Sequence, residues 1–257
     1  MFVNRIKELL KRDEVVLGTW VTFQESLSAQ ILGRIGFDFL SIDMEHGPVT
    51  LDALQRIALA TATTPALPIV RTAWNDSRAI QVPLDCGIAG VIVPYVNDLA
   101  TAHRVMQDAR YPPLGGRSCG GLRSPFAFGV DIPTYFAGAN EQILLFLMTE
   151  TKAAVGIAAD VAALEGVDGL FVGPHDLSIS LGLRYPEAWD EGVPALHDAV
   201  ASVAKVALRA GKFAGILAKD AAMAKRCIAL GYRFIAVGGD ARFLESAARQ
   251  THSELRQ

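Results

Sequence analysis

Cysteine is scarce in this sequence: Cys86, Cys119 and Cys227 are an odd number, far apart and without a CxxC pair. That excludes a disulfide framework and a cysteine-ligated zinc site, and it fits reduced thiols in a cytoplasmic protein. Basic blocks are absent too. The 24 basic and 27 acidic side chains leave a net charge of -3, so the electrostatic footprint of a nucleic-acid binder is missing. No apolar run reaches the roughly 18 residues of a membrane span. The amphipathic stretch 1–12 lacks the apolar core of a signal peptide. No glycine-rich phosphate turn follows the first strand candidate, where Gly18-Thr19-Trp20 stands instead, which speaks against a doubly wound open sheet, the competing α/β fold.

What is present is a regular alternation. Near-continuous apolar runs at 15–23, 38–43, 67–72, 90–96, 143–149, 169–173, 213–218 and 233–238 read as strands covered on both faces. Helical patterns of similar length lie between them, for example at 51–62, 99–109 and 195–210. Thr50, Asp76, Asp98, Thr151 and Asp220 stand where N-caps are expected. Eight strands each followed by a helix, in 257 residues, predict a single-domain (β/α)8 TIM barrel spanning 1–257. The stretch 111–142, rich in Gly, Pro and aromatics, is too long for an ordinary connection and reads as an active-site or interface loop. Within it Arg117 and Arg123 are candidates to hold an anion or are simply solvated.

Barrel active sites form at the C-terminal ends of the strands, so those positions belong together. The second strand delivers Asp43, Glu45 and His46, the third Arg71, the fifth Glu150, and the sixth His175 and Asp176. Glu150 and Asp176, on adjacent strands, suit a hard octahedral cation such as Mg²⁺ or Mn²⁺ completed by water and substrate oxygens. The alternative for each is a first-turn acid of the following helix. His46 is a candidate acid/base, with Asp85 as the carboxylate to orient it. Arg71 is a candidate to stabilise an enolate oxygen, or a salt-bridge partner of Asp43 and Glu45. No lysine lies within a strand: Lys152, Lys212 and Lys219 are the nearest. That argues for activation by a metal rather than through an imine.

The segments Gly18-Thr19-Trp20, Asp43-Met44-Glu45-His46-Gly47, Val70-Arg71-Thr72-Ala73-Trp74-Asn75-Asp76, Ala109-Arg110-Tyr111-Pro112-Pro113, Thr149-Glu150-Thr151 and Gly173-Pro174-His175-Asp176-Leu177-Ser178 closely resemble the HpcH/HpaI aldolase family, in order and over nearly the whole chain. The resemblance implies reversible cleavage of a 4-hydroxy-2-oxo acid to pyruvate and an aldehyde. It implies a divalent cation (Mg²⁺, Mn²⁺ or Co²⁺) on Glu150 and Asp176, chelated by pyruvate, with Arg71 on the keto oxygen and His46 paired with Asp85. Asp43 and Glu45 would support Arg71. Gly173, Pro174, His175 and Asp176 would surround the pyruvate carboxylate, and Trp20 and Leu217 would line the substrate pocket. It also implies a homohexamer in which the C-terminal helix, 241–257, is exchanged and a neighbour's 111–142 segment closes the site.

The chain departs from the family pattern at Met148, where relatives often have glutamine, and at His175, where many have alanine. In 118–130, Phe126 and Phe128 suggest a less polar aldehyde pocket. A citrate-synthase-like enzyme or acyl-CoA lyase with the same enolate chemistry, a phosphosugar enzyme using Gly238-Gly239-Asp240, and a non-catalytic barrel are the other readings.

Overall fold

The computed structural model describes residues 3–184 and 193–256; residues 1, 2 and 257, the ends of the domain read from the sequence, lie outside them. Eight parallel strands close into a barrel in sequence order: β1 (Val16–Val21), β2 (Phe39–Asp43), β3 (Leu67–Arg71), β4 (Gly90–Val93), β5 (Leu144–Thr149), β6 (Gly169–Val172), β7 (Phe213–Ala218) and β8 (Phe234–Gly239). The outer shell consists of α1 (Arg5–Lys11), α2 (Ser26–Ile35), α3 (Leu51–Thr61), α4 (Ser77–Asp85), α5 (Leu99–Ala109), α6 (Arg123–Ala127), α7 (Ile132–Gln142), α8 (Lys152–Gly156), α9 (Ala158–Ala163), α10 (Pro174–Ser180), α11 (Pro194–Arg209), α12 (Ala221–Ala229) and α13 (Asp240–Glu254). The eight predicted strands all form. Thr50, Asp76, Asp98, Thr151 and Asp220 each accept a backbone N–H in the first turn of the following helix, as a cap should.

Strand side chains alternate between two cores. One set packs against the helices; the other fills the barrel with aromatics. Phe39 stacks on Phe234 at 4.0 Å and Phe146 on Phe234 at 4.6 Å, all fully buried. Gly18 makes room for this plug, since a Cβ there would lie 2.4 Å from the Phe39 ring.

The floor of the barrel is sealed by α1. Ile6 and Leu10 enter the inner core, while Asn4 caps the helix and donates to Ala89 O at 2.9 Å and Gln142 O at 2.7 Å. Beside them Asp168 accepts from both Lys7 Nζ and Arg110 Nη2 at 2.6 Å. Arg110 is fully buried, with its other nitrogens on Gly166 O and Ile143 O.

The 111–142 segment is not one long loop. It contains α6 and α7, and it joins α5 to β5 at the floor end, far from the chain's own barrel mouth. Phe126 is exposed, and Phe128 stacks on the buried Tyr135 at 5.9 Å. Neither lines the mouth of its own barrel, because an α-to-β connection lies by construction at the N-terminal ends of the strands.

Asp168→Asn would leave two buried cations without their carboxylate, so we expect a loss of about 3–5 kcal/mol in urea unfolding. A loss below about 1 kcal/mol would show that the floor network is dispensable.

Candidate active site

β2 and β3 pair with Asp43 opposite Arg71, which puts both side chains on the same face, into the mouth. The guanidinium grips Asp43 in a fork: Nε to Oδ1 at 2.9 Å and Nη2 to Oδ2 at 2.7 Å. Its Nη1 lies 2.9 Å from Glu45 Oε2, an ion pair without hydrogen-bond alignment, and the whole group sits over the Trp20 ring at 4.8 Å. Burial alone would depress the basicity of Arg71. Its bonds and charge contacts with Asp43, then Glu45 and Glu150, outweigh that and raise it.

Glu150 follows β5 and is almost fully buried. Oε1 accepts the backbone N–H of Tyr95 at 2.7 Å; Oε2 is buried with no hydrogen-bond partner among the described residues. Burial raises the Glu150 carboxyl from 4.5 to about 7; the Tyr95 amide opposes this and the charges of Glu45 and Asp176 add to it. Burial likewise raises Glu45 to about 7, against the pull of Arg71. Gly173 stands between β6 and α10, where a Cβ would come within 3.1 Å of Glu150 Oε2 and 2.8 Å of the Met148 methyl. The glycine keeps that approach uncrowded.

The mouth is one cavity with two lobes sharing Trp20, Arg71, His175 and Leu217. The lobe of about 320 Å³ adds His46, Met148, Gly173, Pro174 and Asp176. The other, about 220 Å³, extends toward Lys219, Asp240 and Arg242 at the ends of β7 and β8. His175, half-buried, is made less basic chiefly by burial and then by Arg242.

The structure thus brings Trp20, Asp43, Glu45, His46, Arg71, Glu150, Gly173, Pro174, His175, Asp176 and Leu217 to one mouth, but not Asp85. Asp85 is the last residue of α4, just before β4, and therefore lies at the floor end, where it accepts from Arg117 Nη2 at 2.7 Å. A His46–Asp85 pair within one chain is ruled out by the length of the barrel. Arg117, buried on Asp85, is neither solvated nor an anion site. The carboxylate nearest the exposed His46 is Glu45, 3.9 Å from Nε2. Gly238-Gly239-Asp240 is not a phosphate cradle either. The Asp240 carboxylate already takes the amides of Thr22, Phe23 and Ala241 that a phosphate would need. Tyr95 and Arg242 escaped the sequence reading: the first acts through its backbone, and the second sits in a surface helix.

The model for the HpcH/HpaI aldolase/citrate lyase family matches residues 17–247. The chain belongs to that family. It is 37% identical to a 2-keto-3-deoxy-L-rhamnonate aldolase from Salmonella paratyphi B, over 92% of this chain and 87% of that protein. To a 4-hydroxy-2-oxo-heptane-1,7-dioate aldolase from Shigella flexneri it is 35% identical, over 95% and 90%. A crystal structure of an HpcH/HpaI aldolase/citrate lyase family protein from Burkholderia cenocepacia superposes with a TM-score of 0.90 at 32% identity, covering 99% of this chain and all of that one. The protein is a class II aldolase, a carbon–carbon lyase, of a group whose members generally depend on a divalent metal.

The residues at the mouth fit such a cation. Asp43, Glu45 and Glu150 face a single buried guanidinium, Asp176 adds its charge beside Glu150, Glu150 keeps an oxygen unpartnered among the described residues, and carboxylate oxygens are what a hard cation takes. Among the described residues no cluster of three or more His, Cys, Asp or Glu side chains could hold a metal, so water and substrate would have to supply the remaining ligands. No helix among them is long and apolar enough to cross a membrane.

Glu45 and Glu150 bind their protons more tightly in the folded mouth than in the unfolded chain. As far as these groups decide, the metal-free protein should therefore be most stable below about pH 4.5, where both carboxyls are protonated in the folded and unfolded chain. It should lose on the order of a few kcal/mol as the pH rises to about 7, then level off. Urea unfolding of chelator-treated protein across that range checks this; a stability that rises from pH 5 to 7 by a similar amount would contradict it.

Proposed function

We propose that this aldolase reversibly cleaves a 4-hydroxy-2-oxo acid into pyruvate and an aldehyde, with a divalent cation (Mg²⁺, Mn²⁺ or Co²⁺) held by Glu150 and Asp176. The observation that carries the reading is Glu150: a buried carboxylate just past β5, one oxygen tied to an amide and the other unpartnered among the described residues, with Asp176 in the first turn of the helix that follows the neighbouring strand β6. When bound, the cation acts as a Lewis acid on the keto group of the substrate.

The protein side chains supply the rest. Arg71 spends two of its five N–H groups on Asp43 and faces Glu45 through charge alone, which leaves N–H groups for the oxygen that gains charge as the C3–C4 bond breaks. Because Asp43 and Glu45 hold the guanidinium in place, it need not reorganise as that charge develops. His46, exposed at the rim beside Glu45, takes the proton of the 4-hydroxyl and returns one to the enolate carbon. The amides after Gly173 receive the pyruvate carboxylate; the Pro174 position has no N–H to give, so His175 supplies the first. Trp20 and Leu217 face the aldehyde half. Met148, in place of an amide side chain, leaves the wall beside Glu150 without a hydrogen-bond donor.

The same reading includes a homo-oligomer, hexameric by family resemblance. Asp240 is the one buried residue of α13, while Leu244 and Leu255 are strongly exposed, as suits a helix exchanged with a neighbour. The 111–142 segment lies at the floor and so closes only another subunit's mouth. Asp85, tied to it through Arg117, meets a His46 only across subunits.

Chelation with EDTA should abolish the pyruvate-forming cleavage, and Mg²⁺, Mn²⁺ or Co²⁺ should restore it; activity that survives complete metal removal would sink the proposal. Glu150→Gln and Arg71→Ala should each lower kcat by about 10²–10³. Both should also slow exchange of deuterium into the methyl group of pyruvate, an assay that needs no knowledge of the aldehyde.

A further inference from the structure

Among the described residues two that are not glycine have a positive φ. Asp13, at 58°, follows α1 at the floor; Tyr95, at 55°, stands two residues beyond β4 at the mouth. A bulky L side chain avoids this region because its Cβ crowds the backbone, so something must hold Tyr95 there. The holder is Asn75. Its side-chain amide, buried between the β3 and β4 loops, donates to Pro94 O at 3.2 Å and Tyr95 O at 3.1 Å. Its own oxygen accepts from Arg104 Nη2 of α5 at 3.4 Å. From the other side the Trp74 ring lies 4.9 Å from the Tyr95 ring, and Thr72 Oγ1 fixes Trp74 O at 2.7 Å.

What this clamp aims is the Tyr95 N–H. With the chain anchored in β4 behind and α5 ahead, the φ of residue 95 sets the tilt of the 94–95 peptide plane, and that plane carries the N–H bonded to Glu150 Oε1 at 2.7 Å. We infer that Asn75 and Tyr95 are positioning residues: Asn75 locks the Pro94–Tyr95 turn so that its amide occupies Oε1 and presents Oε2 alone to the cation. The inference rests on the reading of Glu150 and Asp176 as the metal pair. It assigns to this pair an outer partner that is an amide of the main chain.

The test is Mn²⁺ binding to metal-free protein, followed by the electron paramagnetic resonance of free Mn²⁺, so that no turnover enters the readout. Wild type, Glu150→Gln, Asn75→Ala, Tyr95→Gly and the Asn75→Ala/Tyr95→Gly double variant are compared, with circular dichroism and melting curves to establish folding. Asn75→Ala should weaken binding about 10- to 100-fold. Glycine accepts a positive φ without penalty, so in the Tyr95→Gly background the same Asn75→Ala change should cost markedly less. If Asn75→Ala fails to fold, Asn75→Leu, of similar shape and without donors, replaces it in both backgrounds. Binding by Asn75→Ala within about twofold of wild type, with Glu150→Gln binding lost, overturns the clamp and leaves the metal site standing. An equal loss in both backgrounds also overturns it, because Asn75 would then act independently of the turn. Undiminished Mn²⁺ binding by Glu150→Gln overturns the metal assignment and the inference with it.

Discussion

The barrel mouth is built on an electrostatic deficit. Asp43, Glu45, Glu150 and Asp176 converge where water is scarce, and Arg71 is the one buried guanidinium among them. A buried charge without a partner costs several kcal/mol. The protein meets that cost only in part: Asp43 has its fork, Glu45 an ion pair, and Glu150 half of its hydrogen bonds. What is left over is negative charge on hard carboxylate oxygens, the kind of donor a divalent cation takes. The same deficit explains the geometry around it, from the glycine that keeps the approach to Glu150 open to the tryptophan that covers Arg71.

The two ends of the barrel treat buried charge in opposite ways. At the floor, Lys7, Arg110 and Asp168 form a network in which both carboxylate oxygens and every Arg110 nitrogen find a partner. Burial depresses the Lys7 ammonium, and Asp168 resists that pull. Such a network gives rigidity and offers nothing to a ligand. At the mouth the pairing is left incomplete, and the incompleteness is what a substrate and a cation can use. A polar cluster becomes a candidate site by what it leaves unsatisfied, more than by how many charges it holds.

Much of this was legible beforehand. Apolar runs bounded by caps located all eight strands, because a strand buried on both faces has no room for polar alternation. Arg71, Glu150 and Asp176 stood out because charge at the exit of such a run has few structural reasons to be there. Residue type alone does not say at which end of the barrel Asp85 lies; direction does, since a helix that follows a strand runs back to the floor and its last residue goes with it. The glycines and prolines of 111–142 suggest a loop, although Asp131 caps α7 and Pro133 sits in its first turn, where proline is tolerated. Tyr95 left no signal of its own because its contribution is a backbone N–H.

That last point bears on how this site can drift over generations. A hydrogen bond given by a side chain disappears when its codon changes; one given by the main chain survives any substitution that preserves the shape of the turn. At position 95 the side chain therefore gives Glu150 no hydrogen bond; what counts there is a tolerance for left-handed backbone and the ring contact with Trp74. The chemistry of Glu150 is in this way insulated from the identity of its nearest neighbour and exposed instead to changes in the loop that shapes it.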